Sequence, residues 1–151
     1  MYKRIDDYSL LFSRLREDRK NYNGRWVKTF YESGVQMSTH SHQTWRHIKA
    51  RCLKGSEYQK KKPTYLECEV GEDFQDFEIF TNWYVQQEGY RHLDYQLDKD
   101  ILVDGNKIYT AENCCLVPKQ LNIFFCRNSS SEICQGIGKV KTRSYHFVAL
   151  G

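Results

Sequence analysis

The sequence predicts an α+β protein: a helical N-terminal half, a core made of a β-hairpin followed by a helix, and a short C-terminal β ribbon. Three observations predict it. Apolar residues recur at helical spacing through 8–20, 42–53 and 74–84. Extended, β-type pieces broken by Asp104-Gly105-Asn106 precede a helical pattern that Pro118 opens. Short β-type runs with Gly136 and Gly138 close the chain from 136 to 149.

A length of 151 residues supports one domain of ordinary size, with a core large enough to need no disulfide or metal support. An aromatic content of 15%, including eleven tyrosines and three tryptophans, excludes general disorder. No apolar run approaches the roughly 18 to 20 residues of a membrane span. Met1 to Asp7 carries no apolar signal core, so a soluble, intracellular protein is expected.

The net charge of +4 conceals a division along the chain. Residues 1–62 hold 15 Lys and Arg against 6 Asp and Glu; residues 63–104 hold 2 against 11; residues 105–151 hold 6 against 2. Two basic blocks flank an acidic one. A basic segment is the electrostatic footprint of phosphate-backbone binding; the other reading is a solvated face whose charges pair with the acidic block.

Six cysteines stand at 52, 68, 114, 115, 126 and 134, with no C-x-x-C pair and no finger-type Cys–His spacing. Without a signal peptide a disulfide framework is not expected. They read as reduced, mostly buried small hydrophobes, and no zinc is expected.

In chain order, residues 8–20 interleave Leu10, Leu11, Phe12 and Leu15 with Arg14, Arg16, Arg19 and Lys20, an amphipathic helix with a basic outer face. Asn21-Tyr22-Asn23-Gly24 ends it. Residues 26–31 suit a strand or extended arm, and Ser33-Gly34 breaks again. A second helix over 42–53, capped by Ser41 or Thr39, turns Trp45, Ile48, Ala50 and Cys52 inward and sends Arg46, Lys49 and Arg51 elsewhere. Lys60-Lys61-Lys62-Pro63 reads as a basic loop, either solvated or a phosphate clamp. Residues 65–70 alternate as a strand does. Phe74, Phe77, Phe80 and Trp83-Tyr84 form a helix face whose expected role is core packing, ahead of base stacking.

The most informative stretch is 97–125. It reads as a strand carrying Asp98, a turn through Asp104-Gly105-Asn106, a second extended piece, then a helix. Leu121, Phe124 and Phe125 are expected to face the hairpin, with Asn122 one turn into the helix beside it. A carboxylate and an amide oxygen brought together in this way make a hard, incomplete oxygen site. Such a site suits Mg²⁺ that keeps several waters and takes phosphate oxygens as further ligands.

These residues resemble the HNH, or ββα-metal (His-Me finger), nucleases. Trp45 with Arg51-Cys52, Tyr65, Trp83 and the Leu97-Asp98-Lys99-Asp100 stretch also look like a phage-encoded group similar to free-standing homing endonucleases. The resemblance spans roughly residues 40–125. It implies a ββα-metal domain over 41–128 with supporting helices, preceded by a basic helix and arm over 1–40 and followed by a β ribbon over 129–151. It also implies Asp98 and Asn122 as ligands of one Mg²⁺ (or Mn²⁺), Asn113 as the asparagine that fixes the loop, double-stranded DNA as partner, and no membrane. A phage origin implies the cytoplasm of a bacterial host.

The chain departs from the family at one position: Lys99 stands where the catalytic His is expected. An ammonium with an unperturbed pKa of about 10.4, flanked by Asp98 and Asp100, does not accept a proton at neutral pH. Its expected role is to steady the scissile phosphate. Water activation then falls to Tyr109, Tyr95 or His92, or to the more distant His40, His42 or His47. The expected DNA contacts are Arg46, Lys49, Arg51, Lys60, Lys61, Lys62 and Lys119. The tail from 136 is similar to the opening strands of the small DNA-reading sheets that follow HNH modules; equally, it reads as a hairpin covering the core.

Two functions are consistent with these residues. One is a metal-dependent DNA endonuclease of nicking or homing type. The other is a catalytically inert DNA-binding or interaction protein that keeps the ββα scaffold. Lys99 favours the second, and the set Asp98, Asn113 and Asn122 favours the first.

Overall fold

A computed structural model describes residues 15–128, with side chains to 124, and two further strands at 137–139 and 147–149. Helices and strands are both present and come in runs along the chain, as in an α+β protein. In order they are β1 (Leu15–Arg16), β2 (Thr29–Glu32), β3 (Val35–Thr39), α1 (His40–Cys52), α2 (Glu57–Lys61), a 3₁₀ turn (Pro63–Tyr65), β4 (Glu69–Val70), α3 (Glu72–Gln75), α4 (Phe77–Tyr84), β5 (Tyr95–Asp98), β6 (Ile108–Tyr109), β7 (Cys115–Pro118), α5 (Lys119–Asn128), β8 (Ile137–Lys139) and β9 (Phe147–Ala149). No helix among the described residues is long and apolar enough to cross a membrane.

The N-terminal sheet has the order β1-β3-β2. β2 and β3 pair antiparallel, with Glu32 opposite Val35, so Ser33-Gly34 is a two-residue turn. Both turn residues have positive φ, +51° and +78°, the geometry whose twist matches a tight hairpin and which glycine adopts without strain. The helix expected over 8–20 is corrected where it can be seen. Leu15 and Arg16 form a strand parallel to Ser38 and Thr39, because long-range pairing overrides the local helical spacing. Residues 17–20 are not helical either, Lys20 bridging antiparallel to Trp26, and residues 8–14 of the expected helix lie outside the described residues.

Thr39 takes the N-cap position of α1, but its hydroxyl donates to the Val27 carbonyl instead. Asp18, two residues past β1, supplies the cap. Its carboxylate accepts both the Ser41 backbone N–H and the Ser41 hydroxyl, while Thr81 on α4 donates to the Ser41 oxygen. A carboxylate at a helix N-terminus is favoured by the helix dipole, and this one ties β1 to α1 and α4.

The core fills with the aromatic stripe. Phe74, Phe77, Phe80 and Tyr84 are buried, with Phe74 edge-on to Phe80 at 4.9 Å and tilted against Trp83 at 4.8 Å. The stripe spans two helices because Asp76 breaks it, accepting the Ile79 N–H as N-cap of α4. Ile48 of α1 closes the same core, and Trp45 donates its indole N–H to the Phe74 carbonyl at 2.8 Å.

Two further expectations are corrected. The basic run is not a loop: Lys60 and Lys61 lie on α2, capped by Ser56 and stapled by buried Gln59, whose amide donates to the Arg51 and Tyr65 carbonyls. The strand expected over 65–70 shrinks to β4. It pairs parallel with β6. Gly71 follows it, where a Cβ would collide with Thr110 and crowd the Tyr109 carbonyl.

The pairing around Asp98 also differs. β5 does not pair with the piece following Asp104-Gly105-Asn106, which is β6 and belongs to β4. Its antiparallel partner is β7, with Asp98 opposite Cys115, and α5 follows directly and packs on both strands. The unit is strand, long loop, strand, helix. The C-terminal ribbon is present as β8 paired antiparallel with β9.

Candidate functional site

Within this ββα unit, strand alternation puts Gln96 and Asp98 on one face and Tyr95 and Leu97 on the other. Leu97 is buried in the core, so the Asp98 face points away from it. Asn122 on α5 donates its amide N–H to Gln96 Oε1 at 3.2 Å, which places it on the same face as Asp98. Asp98 is half-buried, and its Oδ1 accepts the Asp100 and Ile101 backbone N–H groups, each at 2.7 Å. Those bonds fix the carboxylate at the point where the chain leaves β5.

Lys99 does not face outward. Its side chain is 7% exposed, and Nζ donates to Asp100 Oδ1 and to the Asn106 carbonyl, both at 2.6 Å, with the Tyr109 ring 6.0 Å away. Three possible bonds of an ammonium are thus largely taken by the loop itself. The role expected for it at the scissile phosphate is corrected: this cation holds residues 99–106 together.

Asn106 answers it. Its amide N–H₂ donates to the Lys99 and Ile108 carbonyls at 2.9 and 2.7 Å, and its Oδ1 accepts the Ile108 N–H at 3.0 Å. Asn113, the expected loop-fixing residue, reaches Asn106 Oδ1 only at 3.5 Å and braces it from outside. The principal loop asparagine is therefore Asn106. It was hidden in the sequence inside a turn tripeptide, where asparagine needs no other explanation.

Tyr109 is 1% exposed. Burial pushes its phenol far above the usual range despite the opposing pull of Arg51, so it stays protonated and does not serve as a base at neutral pH. Its partner explains a second correction. Arg51 reaches the Tyr109 hydroxyl at 3.5 Å and sits 5.5 Å from the Tyr65 ring centre, so it is held among aromatic side chains and not presented to a phosphate. His92 is exposed and lies beside Tyr95 at 5.5 Å, on a residue that leaves β5 opposite to Asp98. His40, His42 and His47 sit on α1. Burial lowers the proton affinity of all three, and that of His42 falls to about 4 with help from Arg46 and Lys28. Leu121 is exposed, contrary to its expected place against the hairpin, and Phe125 lies beyond the described side chains.

Arg46, Lys49, Lys60, Lys61, Lys62 and Lys119 are exposed. Lys60 pairs with Glu57 at 2.6 Å, and Lys62 lies 5.5 Å over Tyr58. Of the ion pairs among the described residues, Arg25–Glu78 at 3.4 Å joins the basic block to the acidic one; Lys28, Arg46 and Lys49 take part in none. The basic face thus keeps its charge. Cys52, Cys68 and Cys114 pack in the core, and burial raises every described thiol, those of Cys52 and Cys114 to about 12.

The donors on this face are hard oxygens: the Asp98 carboxylate and the amide oxygens of Asn122 and Gln96. Among the described residues no three His, Cys, Asp or Glu side chains gather into a metal cage. This set suits an ion that takes few protein ligands, as Mg²⁺ does. Compared with models of known families, with curated proteins and with solved structures, the chain gives no match.

Proposed function

We propose that the ββα unit is the site of a metal-dependent DNA endonuclease, similar to the HNH nucleases and to phage-encoded enzymes of nicking or homing type. The observation that carries this reading is the placement of Asp98 and Asn122 on one face of the β5–β7–α5 unit, outside the core.

In this reading Asp98 and Asn122 hold one Mg²⁺ or Mn²⁺. When bound, the ion supplies positive charge for the phosphorane and the departing 3′ oxygen, and acidifies a water. The chain does the remainder. The exposed lysines and arginines of α1 and α2 hold the phosphate backbone. Lys99 and Asn106 keep the loop closed so that the Asp98 carboxylate stays in place. Water adds across the P–O3′ bond, leaving a 5′-phosphate and a 3′-hydroxyl. An enzyme of a phage would do this in the cytoplasm of a bacterial host.

A second reading is favoured by one observation: Lys99 is buried and bonded within its own loop, so the family's His position contributes no group to a substrate. The protein would then be an inert DNA-binding protein with a ββα scaffold.

Plasmid carrying the native flanking region, incubated with protein and Mg²⁺, Ca²⁺ or chelator, separates them. The endonuclease reading expects nicking with Mg²⁺ that chelator abolishes and Asn122→Ala reduces. Salt-sensitive binding with no cleavage under any ion supports the inert protein.

A further inference from the structure

The surface around Trp45 is built differently from an ordinary solvated helix face. Two ammonium groups from separate elements converge on its indole: Lys28, just before β2, at 5.0 Å from the ring centre, and Lys49 of α1 at 4.2 Å. Those distances put the two charges within about 9 Å of each other. Lys28 also lies 5.2 Å from the Phe77 ring. Arg46, next to Trp45 on α1, is exposed, and both Arg46 and Lys28 act on His42, whose ring lies 6.3 Å from that of Trp45. Among the described residues none of these three charges is in an ion pair.

A ring and a carboxylate act differently on a cation. A salt bridge cancels the charge it orients; an aromatic face orients a cation and leaves its charge in the solvent field. Gathering like charges costs free energy that an incoming polyanion recovers. The indole is itself committed: its N–H donates to the Phe74 carbonyl and its ring meets Phe77 at 5.4 Å and 61°. With ammonium groups over it as well, the ring orients cations and does not stack on a base.

We propose that Lys28, Arg46 and Lys49, arrayed around Trp45, form the face that binds the phosphate backbone of duplex DNA. Lys28 is the component that sequence spacing does not reveal. This deepens the nuclease reading and rests on it only in naming DNA as the partner. Contacts of this kind fix position without reading sequence, so different duplexes bind alike.

Anisotropy of a short labelled duplex, in chelator, tests it between roughly 50 and 200 mM potassium chloride. Lys28→Gln/Lys49→Gln is expected to bind about tenfold more weakly at the middle of that range, on any sequence, with the slope of log affinity against log salt shallower by about 2. Lys28→Arg/Lys49→Arg keeps the charge and is expected to stay within about twofold of wild type. The proposal is overturned if the glutamine pair binds duplex as wild type does. It is overturned equally if the arginine pair loses as much as the glutamine pair, or if the glutamine pair loses only single-stranded DNA or anionic vesicles. Because chelator removes cleavage from the readout, failure of the nuclease reading shows separately, as a wild type that binds but does not cut when Mg²⁺ is restored.

Discussion

Lys99 and Asn106 grip each other twice: the Lys99 ammonium donates to the Asn106 carbonyl at 2.6 Å, and the Asn106 amide donates to the Lys99 carbonyl at 2.9 Å. The reciprocal pair closes the loop immediately after Asp98. The Lys99 side chain is thereby part of the frame around the neighbouring Asp98 carboxylate.

Asn106→Ala removes one bond to the part-buried Lys99 carbonyl and two to the exposed Ile108 backbone, and should cost about 1 to 2 kcal/mol. Asn113→Ala, losing one side-chain contact at 3.5 Å, should cost less than about 1 kcal/mol. Urea denaturation of the two variants measures the order. Finding Asn113 the costlier loss would return the loop-fixing role to it.

Lys99→Met should lower stability by about 1 to 2 kcal/mol, because the Asn106 carbonyl loses its partner while exposed Asp100 can turn to water. Duplex affinity and its salt dependence should not change, since the ammonium is not presented to solvent. A flattened salt slope in this variant would mean that Lys99 does reach a phosphate.

Arg51→Met makes the complementary case. The guanidinium is held by Tyr109 and Tyr65, so its loss should lower Tm while leaving the salt slope of DNA binding intact. Thermal melts and anisotropy on one preparation give both numbers. A slope reduced by about 1 would restore Arg51 to the DNA contacts.

Protonation of His42 supplies a pH signature. In the unfolded chain its imidazole takes up a proton near 6.5; in the folded protein burial, with Arg46 and Lys28, delays this to about 4. Between those values the unfolded state binds more protons, so this contribution to stability is full above about pH 6.5 and declines as pH falls towards about 4. His40 and His47 shift in the same direction. Denaturation midpoints at about pH 7 and about pH 5 should therefore differ, and His42→Gln should narrow the difference. An unchanged gap would locate the effect elsewhere.

The sequence was most legible where local pattern and burial agree. The spacing of Phe74, Phe77, Phe80 and Tyr84 announced a core face, and Pro118 sits directly before the helix that carries Asn122. It was least legible where distant partners decide. Asp104-Gly105-Asn106 looks like a hairpin turn, yet β6 pairs with β4 across the chain and Asp98 finds Cys115. Leu15 and Arg16 carry helical spacing but are drawn into a strand by β3. Charge was legible as a division along the chain. Which cations stay unpaired depends on neighbours from other elements: Arg51, expected on DNA, is held by Tyr109 and Tyr65, while Lys28, to which spacing gave no role, stands exposed over Trp45.

The central claim concerns the carboxylate at the end of β5. Asp98→Ala, assayed beside wild type on DNA carrying the native target across a series of Mg²⁺ concentrations, tests it most directly. The account predicts that the variant binds duplex as wild type does and cuts at least about 10²-fold more slowly at every Mg²⁺ concentration. Cleavage by Asp98→Ala at the wild-type rate would contradict it.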